Sequence, residues 1–344
     1  MRSAAFALAA WAAALVWLWL AAASVHESPF HAATWAQWDS THYLSIAEHG
    51  YDAHRCKPGE TPRPATWCGN AAWFPLYPWL IAALHAIGVS ALVAGVAISW
   101  FFAAVVLLLL GRVPLLALLY AAFAPGYVYE FAVFPLSVFV AAVVMFLGAV
   151  RTRRWRLASV AGFLAGLAYP IGVIVLPIVG LLYVGWTTRK AVPTGFATLP
   201  PLLAFGVVVL VERAQTGRWT AFFDVQRHYG HGLHDPFALT WNTIRNVSFR
   251  WGAAPFWQTL LVTIVLVLVV VLGRRELLLV LYAVVAWAVP LTQANVSIWR
   301  SQDALLPVAP VVGRFQRYLA AAIVAAAIAI AFATARLYLQ GALV

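Results

Sequence analysis

The chain has 344 residues, of which 64% are hydrophobic and only 10% are charged, and its formal net charge is +11. A soluble domain carries about a quarter charged residues, because it needs a polar exterior. The composition therefore excludes an ordinary soluble fold. Long unbroken apolar runs also exclude a transmembrane β-barrel, whose strands alternate apolar and polar residues. We predict an all-α, multi-pass membrane protein.

The positive charge is divided among short clusters, each at the end of an apolar run. This arrangement is typical of the cytoplasmic loops of membrane proteins. No basic module or recognition motif accompanies the charge, so we expect no nucleic-acid partner. The clusters are Arg151 with Arg153, Arg154 and Arg156, then Arg189 with Lys190, and Arg274 with Arg275.

The first apolar run, residues 4–23, is long enough to span a bilayer and follows Arg2. Its length and three tryptophans favour an uncleaved anchor, and the alternative is a signal peptide cleaved after Ala23. With the anchor, the N-terminus is cytoplasmic, and residues 25–72 form the first outer loop.

Keeping every basic cluster on the cytoplasmic side decides the number of spans. The short run 73–87 contains Pro75 and Pro78, and we interpret it as a juxtamembrane helix. A second large outer loop then covers about 213–250, and residues 1–344 form a single domain. About eleven spans follow, at residues 4–23, 89–110, 114–124, 134–150, 157–169, 171–186, 196–211, 255–273, 277–292, 304–313 and 318–339.

In this topology ten of the eleven Asp and Glu residues lie outside or at the outer boundary, and only Glu276 is inside. Carboxylates and imidazoles are the usual acid–base groups, so we expect any chemistry at the outer face. Asp39 begins a predicted amphipathic helix over residues 40–49. Its carboxylate is either an N-cap, with Ser40 and Thr41 as rival caps, or a functional group.

Four further features are candidates for chemistry or structure. Glu130 lies between two apolar runs, and such an acid is functional unless it is simply exposed at the interface. Cys56 and Cys68 share the first outer loop, which favours a disulfide over a metal site. Arg300 suits a phosphate, and interfacial snorkelling is the alternative. His228, His231 and His234 recur every three residues, but nearby glycines disfavour the regular helix that would gather them around a metal.

Two motifs resemble the PIG-V-type mannosyltransferases in a bacterial version, which belong to the GT-C membrane glycosyltransferases. They are the Trp38-Asp39 run through Tyr43-Leu44 and Ile46 to Tyr51, and Trp73-Phe74-Pro75-Leu76-Tyr77-Pro78. The resemblance is strong over residues 35–80 and looser elsewhere. Gln226 with Tyr229, and Arg300 with Pro307, resemble later family motifs.

The resemblance implies a GT-C fold and transfer of mannose from a polyprenyl-phosphate donor to a glycan, glycolipid or glycoprotein acceptor. It makes Asp39 the expected catalytic base and Glu130 a second catalytic candidate. A divalent cation such as Mg²⁺ or Mn²⁺ is compatible with this chemistry but is not required by the sequence. The expected substrate-binding residues are Trp38, His42, Glu48, His49, Tyr51, Gln226, Arg227, His228, Tyr229 and Arg300.

The chain departs from the family pattern at two places. Phe134-Pro135-Leu136-Ser137 lacks the acid of the family's Ser-Glu-Ser-like segment, and residues 169–172 lack its Arg-x-x-Gly. Two alternatives therefore stay open. One is a catalytically silent subunit of a membrane complex. The other is a lipid flippase or transporter, although the chain shows neither clear internal repeats nor charges in the middle of spans.

Overall fold

A computed structural model describes residues 2–60, 66–228, 235, 241–242, 244–246, 250, 252–292 and 298–343. Of the residues that it describes, 75% are helical. Within the described ranges, 6 helices are long and apolar enough to cross a membrane. The predicted all-α membrane class is therefore supported. These helices are Ser3–Ala23, Ala91–Leu110, Pro170–Thr188, Ala191–Thr216, Ala254–Leu272 and Arg317–Leu339.

The first half of the chain carries helices α1 to α9 and a small hairpin. A 3₁₀ turn, Ala32–Trp35, precedes α2, and strands β1 (Ala53–Arg55) and β2 (Trp67–Gly69) pair antiparallel. The helices are α1 Arg2–Ala23, α2 Ser40–His49, α3 Leu76–His85, α4 Ala91–Leu110, α5 Leu115–Ala122, α6 Val128–Phe131, α7 Leu136–Arg151, α8 Trp155–Ala168 and α9 Pro170–Val179.

The second half continues with helices α10 to α17. A π-helical turn, Gly180–Gly185, joins α9 to α10, and a 3₁₀ turn, Leu306–Val308, precedes α16. The helices are α10 Trp186–Thr188, α11 Ala191–Thr216, α12 Ala221–His228, α13 Ala254–Leu272, α14 Leu277–Thr292, α15 Ile298–Asp303, α16 Ala309–Val312 and α17 Arg317–Leu339.

Five of the eleven predicted spans have no counterpart among the 6 long helices. Residues 134–150, 157–169 and 277–292 form shorter apolar helices of 16, 14 and 16 residues, and residues 114–124 and 304–313 form still shorter ones. Helix α5 has 8 residues and α16 has 4, so at 1.5 Å per residue they extend roughly 12 and 6 Å, against a hydrocarbon core of about 30 Å. Pro114 is the N-cap of α5 and Pro307 lies in the 3₁₀ turn before α16. A proline disfavours helical φ and ψ angles in the residue before it, which opposes extension of either helix toward the N-terminus. The two helices pack against each other inside the bundle, so neither crosses a bilayer alone.

Helix α3 agrees with the interpretation of residues 73–87 as something other than a span. It has 10 residues and extends only about 15 Å. It packs against α2 and α4. This contact joins the region before α3 to a long apolar helix.

The end of the bundle away from α2 carries a cluster of basic residues around one acid. Helix α7 begins next to Phe134, whose ring contacts Tyr43 of α2, and ends at Arg151, about 22 Å further along its axis. There Arg151 donates to Glu276 at 3.1 Å, and Arg314 pairs with the same carboxylate. The acid that the sequence assigns to the basic side is therefore in contact with two basic residues, at the end away from α2.

Candidate functional site

Asp39 occupies the N-cap position of α2, but its side chain makes no capping hydrogen bond. The hydroxyls of Ser40 and Thr41 donate back to the carbonyls of Gln37 and Trp38, so they do not cap the helix either. The capping interpretation of Asp39 is therefore wrong. Its carboxylate is directed to other partners.

The main partner of Asp39 is Arg300, which lies 261 residues further along the chain. The Arg300 Nη1 atom is 2.5 Å from Asp39 Oδ2. The guanidinium carbon also lies 5.1 Å from the centre of the Phe134 ring, and Arg300 Nε is buried with no hydrogen-bond partner among the described residues. This ion pair connects α15 to the start of α2.

The pair is enclosed but not sealed, because the side chains of Arg300 and Asp39 are 11% and 23% exposed. Burial by itself raises the pKa of the Asp39 carboxyl. The adjacent Arg300 guanidinium, together with His42 and the Trp73 N–H, outweighs that effect and holds the pKa below its usual range. Asp39 is therefore an ionised, reachable carboxylate at neutral pH.

Aromatic side chains form one wall beside this carboxylate. The indole N–H of Trp73 donates to Asp39, and the His42 ring stacks on Trp73 with centroids 3.6 Å apart. The Tyr51 hydroxyl donates to the Trp73 carbonyl at 2.7 Å, and its backbone N–H donates to Gln215. Tyr51 is buried, so its hydroxyl holds Trp73 in place. Its ring is not exposed to a sugar, which differs from the predicted binding role.

Trp38 has two unusual features for a residue next to a candidate catalytic group. Its φ angle is +53°, a left-handed conformation that costs an L-residue about 1–2 kcal/mol. Its side chain is also large, apolar and 44% exposed. Non-glycine residues held in this region concentrate at functional sites, and an exposed indole provides a flat surface for a sugar ring.

Glu48 and His49 lie at the opposite end of α2 and are both exposed. Nine residues separate Glu48 from Asp39, which corresponds to roughly 13 Å along a helix axis. The fold therefore does not bring these two predicted binding residues to the ion pair.

The predicted residues of α12 differ in their surroundings. Gln226 donates from Nε2 to the Ala72 carbonyl at 3.1 Å, beside Trp73. Arg227 is 76% exposed and its cation lies 3.5 Å from Asp224. The backbone of α12 ends at His228, but the side chain of His228 lies outside the described residues, as do Tyr229, His231 and His234.

Cys56 and Cys68 form a disulfide, with Cα atoms 5.0 Å apart. Cys68 lies in β2 opposite His54 of β1. The neighbouring Trp67 ring lies 3.6 Å from the Arg218 guanidinium, which also donates to Asp224 of α12 at 2.8 Å. The disulfide hairpin and α12 are thereby held together near the ion pair.

Glu130 does not join Asp39. It is 0% exposed, and its carboxyl interacts with that of Asp303, which is 1% exposed. Simple exposure of Glu130 at the interface is therefore wrong. Asp303 is a buried acid that the sequence analysis missed as a candidate, although its position three residues after Arg300 was a signal that could have identified it.

No protein-family model matches the sequence, and a search of curated proteins finds no match. Among the described residues, no group of three or more His, Cys, Asp or Glu gathers as a metal site. The candidate site therefore rests on the geometry around Asp39 and Arg300.

Proposed function

We propose that the chain is a GT-C-type membrane glycosyltransferase that moves a sugar, mannose by the resemblance, from a polyprenyl-phosphate donor to an acceptor hydroxyl. One observation carries the proposal. The Asp39 carboxylate is reachable, caps no helix, and is paired with an arginine 261 residues away. A positioned, ionised carboxylate is the group that this reaction needs as a proton acceptor.

Asp39 would act on the hydroxyl group of a glycan, glycolipid or glycoprotein acceptor. The acceptor oxygen bonds to the anomeric carbon and gives its proton to Asp39, while the bond from that carbon to the donor phosphate breaks. The electron pair leaves with the polyprenyl phosphate. Attack from the face opposite the leaving group inverts the anomeric centre. The transition state resembles an oxocarbenium ion, which a nearby carboxylate stabilises.

Arg300 would serve both the base and the leaving group. Only its Nη1 atom is shown to bind Asp39, and its Nε–H has no partner among the described residues. A departing phosphate gains negative charge, which a guanidinium fork stabilises with charged hydrogen bonds. The guanidinium would keep Asp39 in place through Nη1 while its Nε–H donates to the departing phosphate.

The aromatic wall would bind the sugars, with Trp38 as the exposed platform and Trp73 with His42 beside the base. We place the reaction at the outer face of a bacterial plasma membrane, with the N-terminus cytoplasmic. The support is that Asp39 lies at the end of the bundle away from Arg151, and basic ends of membrane proteins face the cytoplasm. The lipid tail of the donor would remain in the membrane.

The test is sugar transfer by the purified full-length protein in lipid nanodiscs. Polyprenyl-phosphate mannose is the donor, the glucose analogue is the matched control donor, and a membrane lipid extract supplies acceptors. We expect labelled mannose in the acceptor fraction with inverted configuration. Asp39→Asn should abolish this signal, which excludes a contaminating enzyme, and Glu27→Gln, at an exposed acid of the same loop, should keep it. Folded wild-type protein that uses neither donor would overturn the proposal and favour a silent subunit.

A further inference from the structure

A second cluster of polar side chains lies where α6 meets α15. Glu130 and Asp303 approach each other with interacting carboxyl groups and are 0% and 1% exposed. This pair differs from the Asp39 site, because both of its members are acids.

The two carboxyl groups have no positive partner within the described part of the chain. Within those residues the two carboxyls interact with each other, no third side chain or backbone group donates to their four oxygens, and neither residue takes part in an ion pair there. Buried carboxylates without a counter-charge are very unfavourable. Native proteins pair such groups or place an ion or water against them.

Neutral oxygens without partners lie around the same two acids. The buried Tyr127 hydroxyl has no hydrogen-bond partner among the described residues, and Tyr127 interacts electrostatically with both carboxyls. Gln258 uses its Nε2 atom to donate to the Trp299 carbonyl at 3.0 Å, while its buried Oε1 atom is left without a partner. Two uncharged oxygen atoms that could bind a cation therefore accompany the two acids.

The turn before α6 is shaped to allow this approach. Gly126 has a φ angle of +95°, and a Cβ atom there would lie 3.1 Å from the Trp299 carbonyl oxygen and 3.3 Å from Gln258 Nε2. It would also lie 3.5 Å from the Asp303 Cβ atom. Glycine alone tolerates both the backbone conformation and the close contact, and the same measurements show that Gln258 and Asp303 are neighbours.

We propose that Glu130 and Asp303 bind a hard divalent cation, with the Tyr127 and Gln258 oxygens as neutral ligands. Carboxylate, amide and hydroxyl oxygens suit Mg²⁺, Ca²⁺ or Mn²⁺. A single divalent ion neutralises the two carboxylates, and it binds α6 to α15, the helix that carries Arg300. The site does not depend on sugar transfer, because it holds its ion in the resting protein.

The test is the metal content of the purified full-length protein, measured by inductively coupled plasma mass spectrometry after gel filtration in metal-free buffer. Because the carboxyls are enclosed, the ion should exchange slowly and co-purify at about one equivalent. Glu130→Gln and Asp303→Asn should lose it. The matched control is Glu276→Gln, at a buried acid that arginines already neutralise, and it should keep the ion. Prolonged incubation with EDTA should lower the Tm of the wild type but not of the two site variants.

Wild-type protein without bound metal, and with a Tm unaffected by Mg²⁺, Ca²⁺, Mn²⁺ or EDTA, would overturn the proposal and leave the two acids sharing a proton. If the acid variants do not fold, Tyr127→Phe keeps the ring and removes one ligand oxygen. Weaker Mn²⁺ binding in Tyr127→Phe, followed by electron paramagnetic resonance, supports the site. Unchanged Mn²⁺ binding contradicts it. These measurements use no sugar donor, so their failure is distinct from a failure of glycosyl transfer.

Discussion

Two pairs of charged side chains meet on α15, one helical turn apart, and they are opposite in character. Arg300 pairs with Asp39, an opposite charge that stays partly exposed. Asp303 meets Glu130, a like charge, and both are fully enclosed. A cationic neighbour keeps a carboxylate ionised and ready to accept a proton, whereas a second acid creates a need for a counter-ion. The first arrangement suits catalysis, and the second suits a cation that holds the fold.

The comparison also explains how so short a helix is kept in place. Helix α15 has 6 residues, too few to be stable by its own hydrogen bonds. Arg300 connects it to Asp39 at the start of α2, and the Trp299 indole donates to the Pro255 carbonyl of α13 at 2.8 Å. The proposed cation would connect Asp303 to α6. With that cation, the site arginine would be positioned by contacts to three separate parts of the chain.

The largest expected effect comes from Asp39→Asn. Loss of a positioned base lowers a rate by about 10²–10⁴-fold, whereas the Asn side-chain oxygen still accepts a hydrogen bond from Arg300. We therefore expect the turnover number to collapse while Tm changes little, measured as initial rates of mannose transfer and by thermal unfolding. Near-normal turnover in folded Asp39→Asn protein would show that Asp39 has only a structural role. The Asp39–Arg300 pair would then no longer be a catalytic pair.

Arg300→Lys should have the next largest effect. Lysine keeps the charge but loses the planar fork that can bind Asp39 and a phosphate together. Loss of one charged hydrogen bond costs about 1.5–3 kcal/mol, so kcat/KM for the donor should fall by roughly tenfold or more. Arg314→Lys is the matched control, because that arginine pairs with Glu276 at the other end of the bundle. Equal donor kinetics in both variants would make Arg300 a simple snorkelling residue.

A smaller effect is expected in the pH dependence of Arg300→Gln. Without the guanidinium, burial acts on Asp39 against only His42 and the Trp73 N–H, so the pKa of its carboxyl should rise. The acid limb of kcat/KM should therefore lie at higher pH than in the wild type. Stability changes in the matching direction. The lowered pKa of wild-type Asp39 contributes stability above its unfolded-state pKa, and this is lost as pH falls through the folded-state pKa. In Arg300→Gln this acid-dependent loss of stability should be absent. Superimposable pH profiles of the wild type and Arg300→Gln would contradict the pairing of Arg300 with an ionised Asp39.

The sequence predicted individual groups better than their partners. Asp39 and Arg300 were each recognisable from local motifs, but no local pattern links residues 261 positions apart. Glu130 stood out because it is an acid among apolar residues. Asp303 did not, since Arg300, Ser301 and Gln302 before it resemble an exposed polar turn.

The sequence also predicted apolar segments better than their position relative to the membrane. Long apolar runs correctly gave α1, α4, α13 and α17, because twenty apolar residues suffice to cross a membrane. The runs at 114–124 and 304–313 are equally apolar but lie buried within the bundle as short helices. Composition does not distinguish a lipid-facing segment from one buried by other helices.

The smallest expected effect separates backbone strain from binding at Trp38. Its left-handed φ angle of +53° should make Trp38→Gly more stable than Trp38→Ala by about 1 kcal/mol, since only glycine adopts this conformation without cost. Both variants lack the indole, so both should lose the same affinity for sugar, measured as KM for donor and acceptor. Equal unfolding free energies would show that the backbone relaxes on substitution. A wild-type KM in both would show that Trp38 is not the sugar platform, and Trp73 with His42 would then be the only aromatic surface proposed beside the base.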